Sequence, residues 1–461
     1  MITSTAFAGK HYAVLGLARS GLATVEALLA SGARVTAWDD DQGAREKLSL
    51  SPFGGEGRGE GDVVERPDSP SPSPLRNSSS PLKGRGLEIA DFTGADLAQF
   101  DSIVVTPGLP LNRHPIARRA AEAGVEIIGD IELFARARPD LPPHKVVGIT
   151  GTNGKSTTTA LVHHILQTAG VPSLMGGNIG LPILAQEPLP EGGVYVLELS
   201  SYQIDLTQSL DCEVAVLLNI TPDHLDRYEG FEAYAKSKGR LLRMQSEEHS
   251  AVVSAWTDAS VAQASGDDLD QFIAWVSPGY LEDQSSWPTL QGPHNLENVQ
   301  VARQVAFLLD ILPQAVDEAL RTFPGLPHRM ERVREKAGVL FVNDSKATNA
   351  TATAPALASF PAIRWILGGQ AKADNLDECT PHFSHVRSAY TIGEASGLFA
   401  RLLGPHMPVA ECGTLDAAVR AAAHDARAGD TVLLSPACAS FDQFRDFEAR
   451  GDAFRALVRA L

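Results

Sequence analysis

The segment that most constrains the fold is glycine-rich and lies between an apolar strand and an apolar helix. It reads Gly148-Ile-Thr-Gly-Thr-Asn-Gly-Lys-Ser156, and the strand Lys145–Ile149 leads into it. The helix Ser156–Gly170 is predicted from apolar residues at helical spacing. These residues are Leu161, Val162, Ile165 and Leu166. A strand, a glycine turn and a helix in this order predict an α/β domain with the turn at the carboxyl end of the strand.

This turn has the residues that a phosphate-binding loop needs. Glycines allow the backbone to approach an anion closely, and the first turn of the helix supplies N–H groups. Lys155 would supply positive charge near the β- and γ-phosphates, and the hydroxyl of Ser156 can bind Mg²⁺. The match is imperfect, because Gly148 falls one residue early and Gly151 is additional. An ordinary glycine-rich turn is the alternative, but strand, Gly-Lys-Ser and helix together favour the phosphate loop.

Composition excludes several classes of partner. The chain has 461 residues and a net charge of −17, which argues against nucleic acid or an anionic membrane as partner. No run of about 18 apolar residues occurs, so we predict no membrane-spanning helix. The four cysteines are widely spaced and form no C-x-x-C pair, which favours reduced thiols and a cytoplasmic location.

The N-terminal segment predicts a β-α-β unit. The strand Tyr12–Gly16 runs into the turn Gly16–Gly21 and the helix Leu22–Ala30. A second strand, Arg34–Trp38, ends in the acidic trio Asp39–Asp41. The turn is open to two interpretations: a purely structural tight turn, or a helix N-terminus that holds a diphosphate.

Residues 51–86 interrupt this pattern with runs of Gly, Ser and Pro. Such a composition cannot bury enough apolar surface to offset the entropy of ordering the chain. We therefore predict a disordered surface insertion within the first domain.

Two further strand ends carry polar groups that suit a metal. Glu198 ends the strand Val194–Glu198, and a carboxylate there can ligate Mg²⁺. The strand Val214–Leu218 is followed by Asn219–Arg227, which includes Asp223, His224 and Asp226. Histidine is a less usual Mg²⁺ ligand, but the neighbouring carboxylates favour a functional role for His224. The basic helical segment 234–240 reads by itself as a solvated helix face.

Polar segments in the remaining chain indicate a second ligand site. Asn295 and Asn298 are three residues apart, so they share a helix face and could bind a planar heterocycle; helix capping is the alternative. Polar loops also lie beside predicted strands in the last third of the chain. These strands are Val339–Asn343, Arg364–Gly368 and Asp430–Ser435.

Taken together, these segments resemble the Mur ligases, which are three-domain, ATP-dependent, amide-bond-forming enzymes of bacterial cell-wall synthesis. The resemblance is carried by Gly151–Ser156, Asp223–Arg227 and His294–Asn298. Within the family, Asn343–Asn349 and Ser435–Phe444 resemble the members that add D-glutamate to UDP-N-acetylmuramoyl-L-alanine. The resemblance to the family covers nearly the whole chain outside residues 51–86.

The resemblance implies an α/β fold with three domains. These are a Rossmann-like UDP-binding domain at 1–143, a central P-loop ATPase-like domain at 144–323 that binds ATP, and a C-terminal Rossmann-like domain at 324–461 that binds the amino acid. We expect a monomer.

The resemblance also implies the catalytic and metal-binding residues. The catalytic set is Lys155, Glu198, His224 and Lys238. Ser156 and Glu198 would bind one Mg²⁺, and Glu198 and His224 a second. Lys238 would carry a carbamate formed with CO₂, which turns a cation into an oxygen anion that suits Mg²⁺. The Tyr-x-x-x-Lys-x-Arg pattern favours Lys238 over Lys236.

Three binding sets follow from the same resemblance. ATP would be bound by Gly151, Thr152, Asn153, Gly154, Lys155, Ser156, Thr157, Asn295, Asn298, Arg329 and Asp344. The UDP substrate would lie along Leu17, Ala18, Arg19, Asp39, Asp40 and Asn178. D-Glutamate would be held by Thr348, Lys372, Ser440, Phe441 and Phe447. The acidic residues beside a diphosphate are expected to face uracil or ribose.

The implied reaction begins with phosphorylation of the substrate carboxylate by ATP, and the amine of D-glutamate then displaces phosphate. The nearest alternative is another Mur-type or a folylpolyglutamate-type ligase, which would differ in the first domain and the amino-acid pocket. A P-loop kinase or transport ATPase would need neither the His-Asn-x-x-Asn run nor an acceptor domain. A non-catalytic nucleotide-binding module would not need the full catalytic set.

Overall fold

The computed structural model describes residues 1–49, 86–221, 223, 227–254, 272–277 and 282–461. The predicted insertion lies outside the described residues except for Gly86, and so do His224 and Asp226. The chain divides into two compact units. One contains Met1–Pro278 and Gln300–Val316, and the other contains Gly279–Val299 and Asp317–Leu461.

The first sheet of the first unit has five parallel strands in the order β3-β2-β1-β4-β5. They are β1 (His11–Leu15), β2 (Arg34–Trp38), β3 (Leu87–Ile89), β4 (Ser102–Val105) and β5 (Ile127–Ile128). The order reverses between β1 and β4, and a ligand crevice opens at the carboxyl ends of strands where such a reversal occurs. The turn after β1 therefore lies where a ligand would bind.

Four helices accompany this sheet: α1 (Arg19–Ala30), α2 (Gln42–Ser49), α3 (Pro115–Ala123) and α4 (Asp130–Ala137). Helix α1 begins at Arg19, three residues before the predicted start at Leu22. Apolar spacing located the helix but not its first turn, because Arg19 and Ser20 are not apolar.

The second sheet has six parallel strands in the order β11-β10-β9-β6-β8-β7. They are β6 (His144–Thr150), β7 (Ser173–Gly177), β8 (Gly193–Glu198), β9 (Val214–Leu217), β10 (Ser250–Ser254) and β11 (Phe272–Val276). Strand β6 is flanked by β8 and β9, so residues at the ends of those strands border the glycine loop. The accompanying helices are α5 (Lys155–Thr168), α6 (Ser201–Asp205) and α7 (Phe231–Arg243).

Charged side chains hold the two sheets of the first unit together. The buried carboxylate of Glu132 on α4 accepts the N–H groups of Gln208 and Ser209 at 2.7 and 2.9 Å. Arg138 pairs with Glu213 at 2.7 Å. The segment Leu141–Pro143, which joins the two sheets, therefore lies within a single compact unit.

Two helices follow the second sheet, α8 (Pro293–Leu308) and α9 (Pro313–Thr322). Asn295 and Asn298, which were expected to share a helix face, both lie within the first two turns of α8. Pro293 stands at the first position of α8, where the N–H group that proline lacks would have no partner within the helix.

The main sheet of the second unit has the strand order β12-β13-β18-β14-β16-β17, and a separate antiparallel pair joins β15 and β19. Only β12 runs antiparallel to its neighbour in the main sheet. The strands are β12 (Glu331–Lys336), β13 (Val339–Asn343), β14 (Ile363–Gly368), β15 (Gln370–Ala371), β16 (Val386–Ile392), β17 (Val409–Gly413), β18 (Thr431–Leu434) and β19 (Cys438–Ala439). The helices are α10 (Ala350–Ala358), α11 (Ser396–Leu403), α12 (Leu415–Asp425) and α13 (Phe447–Ala460).

Within the described part of the chain, no helix combines the length and the apolar character needed to span a bilayer.

Candidate active site

The glycine loop after β6 is shorter than the sequence motif suggested. Gly148 lies within β6, where a Cβ atom would come within 2.7 Å of Cys212 Sγ, so it is a packing glycine of the strand. Gly151 and Gly154 adopt φ values of 149° and 83°, which side-chain-bearing residues rarely adopt. The loop therefore runs from Gly151 to Lys155. Gly148, which falls one residue early for the phosphate-loop motif, is a glycine because it packs against Cys212.

Two lysines meet at one carbonyl of this loop. Lys155 Nζ donates to Gly151 O at 3.0 Å and to Thr152 O at 2.9 Å, and Lys238 Nζ donates to Gly151 O at 2.9 Å. Lys238 is only 2% exposed, so the interpretation of its segment as a solvated face was wrong at this position. Lys236 does lie on the solvated face, where it pairs with Glu232.

The environment of Lys238 favours its neutral amine. Burial, followed by the nearby charge of Lys155, lowers the pKa of Lys238 to about 7, although Asp223, Asp205 and Glu198 oppose the shift. An amine that is partly neutral near pH 7 is a nucleophile, which the addition of CO₂ requires.

Tyr234 is a residue of this site that sequence reasoning missed. It lies one helical turn before Lys238 on α7, and Lys238 Nζ is 4.7 Å from the centre of its ring. Its hydroxyl is 3.2 Å from Thr152 Oγ1 in the glycine loop. The available signal was the i, i+4 spacing of Tyr234 and Lys238, which places both side chains on one helix face.

Glu198 has the chemistry of a metal ligand. It ends β8 beside the glycine loop and is 2% exposed. Its Oε1 accepts the Asn178 side chain at 2.9 Å, whereas Oε2 is buried with no hydrogen-bond partner among the described residues. A buried carboxylate oxygen without a donor is costly unless a cation satisfies it, and Mg²⁺ prefers such oxygens. Ser156, 6% exposed, is the second residue of α5, the helix that follows the glycine loop.

No cluster of three His, Cys, Asp or Glu side chains that could hold a metal occurs among the described residues. The predicted ligand His224 lies outside those residues, so a set that includes it is a prediction only. The fit to Mg²⁺ therefore rests on the Glu198 oxygen, the Ser156 hydroxyl and the adjacent loop.

The predicted UDP residues lie around the turn after β1. The Leu17 N–H donates to Asp39 Oδ2 at 2.6 Å, and Ala18 caps α1 without a side-chain bond. Asp40 accepts the Trp38 indole N–H at 3.3 Å. Arg19 Nη2 donates to Gly180 O at 3.0 Å, which joins this turn to the loop that carries Asn178.

The predicted ATP residues of the second unit form two groups. Asn298 Nδ2 donates to Asn295 Oδ1 at 3.2 Å, so the two amides are linked. Arg329 Nε is buried with no hydrogen-bond partner among the described residues. Asp344 is held by Met330 N–H and the Ser435 hydroxyl, and burial raises its pKa to about 7.

The predicted D-glutamate residues are partly brought together. Lys372 Nζ donates to Thr348 Oγ1 at 3.3 Å, and the β15–β19 pair sets the Lys372 segment beside the Ser440 segment. Phe441 is 69% exposed. Phe447 begins α13, with Lys346 Nζ 5.3 Å from its ring centre.

Arg450 supports these loops and was also missed by sequence reasoning. It is 1% exposed and donates to Ser345 Oγ at 3.0 Å and to Cys438 O at 3.0 Å. A charged residue in an amphipathic helix predicts a solvent-facing side chain, so the sequence held no signal for its burial.

Two family models match the chain. One, described as the Mur ligase middle domain, matches residues 149–273, and the other, described as the Mur ligase glutamate ligase domain, matches residues 328–438. Among solved structures, a MurF ligase from Thermotoga maritima in complex with ADP has a TM-score of 0.57 at 14% identity, covering 99% of this chain and 97% of that one. The UDP-N-acetylmuramate–alanine ligase MurC from the same organism has a TM-score of 0.55 at 16% identity, covering 98% and 99%. At these identities the likeness concerns the fold.

Curated relatives are much more similar in sequence. The UDP-N-acetylmuramoylalanine–D-glutamate ligase of Novosphingobium aromaticivorans is 58% identical, covering 100% of this chain and 97% of the relative. The enzyme of the same name from Zymomonas mobilis is 54% identical, covering 100% of both chains. The chain therefore belongs to the Mur ligase family, among the UDP-N-acetylmuramoylalanine–D-glutamate ligases.

Proposed function

We propose that this protein is an ATP-dependent ligase that adds D-glutamate to UDP-N-acetylmuramoyl-L-alanine through an acyl phosphate, in peptidoglycan precursor synthesis. The observation that carries the chemistry is the buried Oε2 of Glu198, which has no hydrogen-bond partner among the described residues and lies beside a glycine loop where Lys155 and Lys238 meet. Membership of the family across the full chain supports the substrate assignment.

The first step joins two anions, so it requires positive charge. A carboxylate oxygen of the UDP substrate attacks the γ-phosphorus of ATP, and ADP leaves. Lys155 would leave its loop carbonyls to meet the β- and γ-phosphates, while N–H groups at the start of α5 bind them. Mg²⁺ at two sites, held by Ser156, Glu198, His224 and Lys238 as its carbamate, would neutralise the repulsion between carboxylate and phosphate.

The second step forms the amide. The amine of D-glutamate attacks the acyl carbon, loses a proton, and phosphate leaves from the tetrahedral intermediate. Lys372 and the hydroxyls of Thr348 and Ser440 would bind the carboxylates of D-glutamate, with Phe441 and Phe447 beside them. Asn178, which donates to Glu198, would orient the muramoyl end of the substrate.

The remaining ligand contacts are proposals of the same kind. The adenine of ATP would face the linked amides Asn295 and Asn298, and Arg329 and Asp344 would bind its phosphates and ribose. Gly151–Thr157 would surround the phosphates. The UDP moiety would lie along Leu17, Ala18, Arg19, Asp39 and Asp40.

The domain assignment is supported by strand order. The order β3-β2-β1-β4-β5 agrees with a Rossmann-like domain at 1–143, and the loop after β6 agrees with a P-loop ATPase-like domain at 144–323. A second Rossmann-like domain would occupy 324–461. We expect a cytoplasmic monomer that binds neither nucleic acid nor membrane, and its mass in size-exclusion chromatography tests the monomer.

Phosphate release from ATP tests the function. The purified protein is given UDP-N-acetylmuramoyl-L-alanine and a panel of D- and L-amino acids, one at a time. We expect release with D-glutamate above all others. Release with a different amine and none with D-glutamate would favour another Mur-type or folylpolyglutamate-type ligase, and release without any acceptor would favour a P-loop ATPase.

A further inference from the structure

We infer that Asn219 is a positioning residue that holds the phosphate loop in the conformation that accepts nucleotide. Asn219 follows β9, the strand next to β6, and it contacts the backbone of the loop; Asn219 itself has no assigned contact with a ligand. The inference rests on the proposed ATP site and adds a residue to it that acts through the loop backbone.

The side-chain amide of Asn219 pairs with the backbone of Asn153 in both directions. Asn219 Oδ1 accepts the Asn153 N–H at 2.8 Å, and Asn219 Nδ2 donates to Asn153 O at 3.2 Å. Only a primary amide side chain offers a donor and an acceptor at this spacing, so it replaces the strand partner that the loop lacks. The pairing fixes both peptide groups of Asn153.

Backbone and hydroxyl groups extend this pairing along the loop. The Thr152 N–H donates to Asn219 O at 2.6 Å, and the Thr221 N–H donates to Thr152 Oγ1 at 3.0 Å. A Cβ atom on Gly151 would lie 2.8 Å from Leu218 Cβ, so the two segments also pack closely. Residues 151–153 therefore move as one body with the start of the segment after β9.

These contacts determine which backbone N–H groups of the loop are available to bind an anion. Asn219 takes the N–H groups of Thr152 and Asn153, which then point toward β9 and away from a ligand. In an α-helix the carbonyls of the helix itself do not accept the N–H groups of the first turn, and α5 begins at Lys155, directly after the glycine loop. Phosphate binding is thereby assigned to the Gly154–Thr157 backbone, and Asn219 keeps the preceding residues out of that space.

The neutral charge of Asn219 is part of the role. A carboxylate here would accept the Asn153 N–H equally well, but it would lose the donor bond and oppose a nucleotide phosphate. An amide holds the loop without adding negative charge beside its ligand.

The test measures ADP affinity, with Mg²⁺ present, for the full chain and two variants, Asn219→Leu and Asn219→Asp. Asn219→Leu removes both side-chain bonds, and Asn219→Asp keeps the bond to the Asn153 N–H if the first variant fails to fold. We expect each variant to bind ADP about tenfold more weakly. Asn219→Leu no longer holds the loop before binding, and Asn219→Asp loses the donor bond and adds a negative charge that opposes the phosphates. The KM for ATP should rise by a similar factor, and the KM for the UDP substrate should stay within about twofold of the wild-type value.

Gln245→Leu is the matched control. Its side-chain amide donates to Cys212 O at 2.8 Å and to Ser250 O at 2.9 Å, at the opposite end of β9. It should lower the melting temperature as Asn219→Leu does while ADP affinity stays within about twofold of the wild type.

Two results overturn the inference. If the wild type binds ADP and the Asn219 variants bind it with the same affinity, Asn219 does not position the loop, and the proposed ATP site is unaffected. A wild type that does not bind ADP removes the ATP site and, with it, the inference.

Discussion

The first unit contains the same strand–turn–helix arrangement twice, after β1 and after β6, and the two turns differ in the side chain that holds them. In both, a basic residue begins the helix, Arg19 in α1 and Lys155 in α5. In both, a residue just past the neighbouring strand binds a backbone N–H of the turn. That residue is the anion Asp39 in the first case and the neutral Asn219 in the second.

Under the proposed function, this difference would separate a turn that binds phosphate from one that binds other parts of a ligand. A carboxylate against the first turn opposes a second anion there, so we expect a uridine diphosphate to place its phosphates farther along the helix start, with Asp39 nearer to uracil or ribose. The second turn has no carboxylate bound to its backbone in the described structure, and two lysines contact it. We therefore propose that the same strand–turn–helix topology binds different ligand groups in the two places, because the side chain that holds the turn is charged in one and neutral in the other.

Replacing the two basic residues should give the largest contrast. Lys155→Met is expected to lower kcat by about 10³-fold, because it removes a positive charge from the transferred phosphate. Arg19→Met should raise the KM for the UDP substrate about tenfold with little change in kcat. Initial rates of ADP formation measure both, and Lys145→Met, at the start of β6, is the control. An equal loss of kcat in the two variants would show that the two turns do not differ in this way.

The second lysine of the phosphate loop gives the next largest effect. Lys238→Ala is expected to lower ligase activity by about 10²-fold or more, because the proposed carbamate oxygens are lost, and formate or acetate should partly restore it. Lys236→Ala, two residues away on the exposed face of α7, should keep its activity. Full activity of unsupplemented Lys238→Ala would remove Lys238 from the site.

The carboxylate of the first turn gives a smaller effect. Asp39 accepts both Leu17 N–H and Asp41 N–H, and Asp39→Asn can accept only one of them on its single carbonyl oxygen. We expect the KM for the UDP substrate to rise about fivefold with kcat unchanged, as for the loss of one charged hydrogen bond. Asp41→Asn is the control, because the Asp41 side chain accepts the Gly43 N–H at the start of α2. A KM that falls instead would mean that the charge of Asp39 opposes the diphosphate more than its hydrogen bond helps.

The smallest effect concerns the helix behind the phosphate loop. Burial, followed by the neighbouring His164, lowers the pKa of His163 on α5, and His163 lies 2.9 Å from Ser173 Oγ. Because the folded pKa is below the unfolded value, protonation favours the unfolded chain, so stability is full above about pH 6.5 and falls at lower pH. His163→Gln should reduce the drop in melting temperature between pH 8 and pH 5 by about 2 °C. An identical drop in the variant and the wild type would contradict this.

Sequence reasoning predicted much of the fold because apolar patterning dominates it. The strands before both turns, the helix after the phosphate loop and the helical segment around Lys238 are confirmed within a few residues. The family was predicted and is confirmed by relatives that match the full chain. Motifs such as Gly-Lys-Ser are local, so one segment carries both their pattern and their chemistry.

The burial of charged side chains and the contacts between distant segments could not be predicted from local sequence patterns. Lys238 and Arg450 are charged residues in amphipathic helices, a pattern typical of solvent exposure, and both are buried. Asn219 lies 66 residues from its partner in the loop, so no local pattern could join them. His224 lies outside the described residues, so its role as a ligand stays a prediction.

The sequence by itself determined that a glycine loop, a lysine and a hydroxyl follow a strand and open a helix, because these features depend only on neighbours in the chain. The tertiary structure decided that Gly148 belongs to the strand rather than the loop, since Cys212 packs against it. It also decided which strand ends and which face of α7 meet at the loop, and hence that Asn219, Glu198 and Lys238 lie around it. Strand order is set by packing between distant segments, and no single stretch of sequence contains that information.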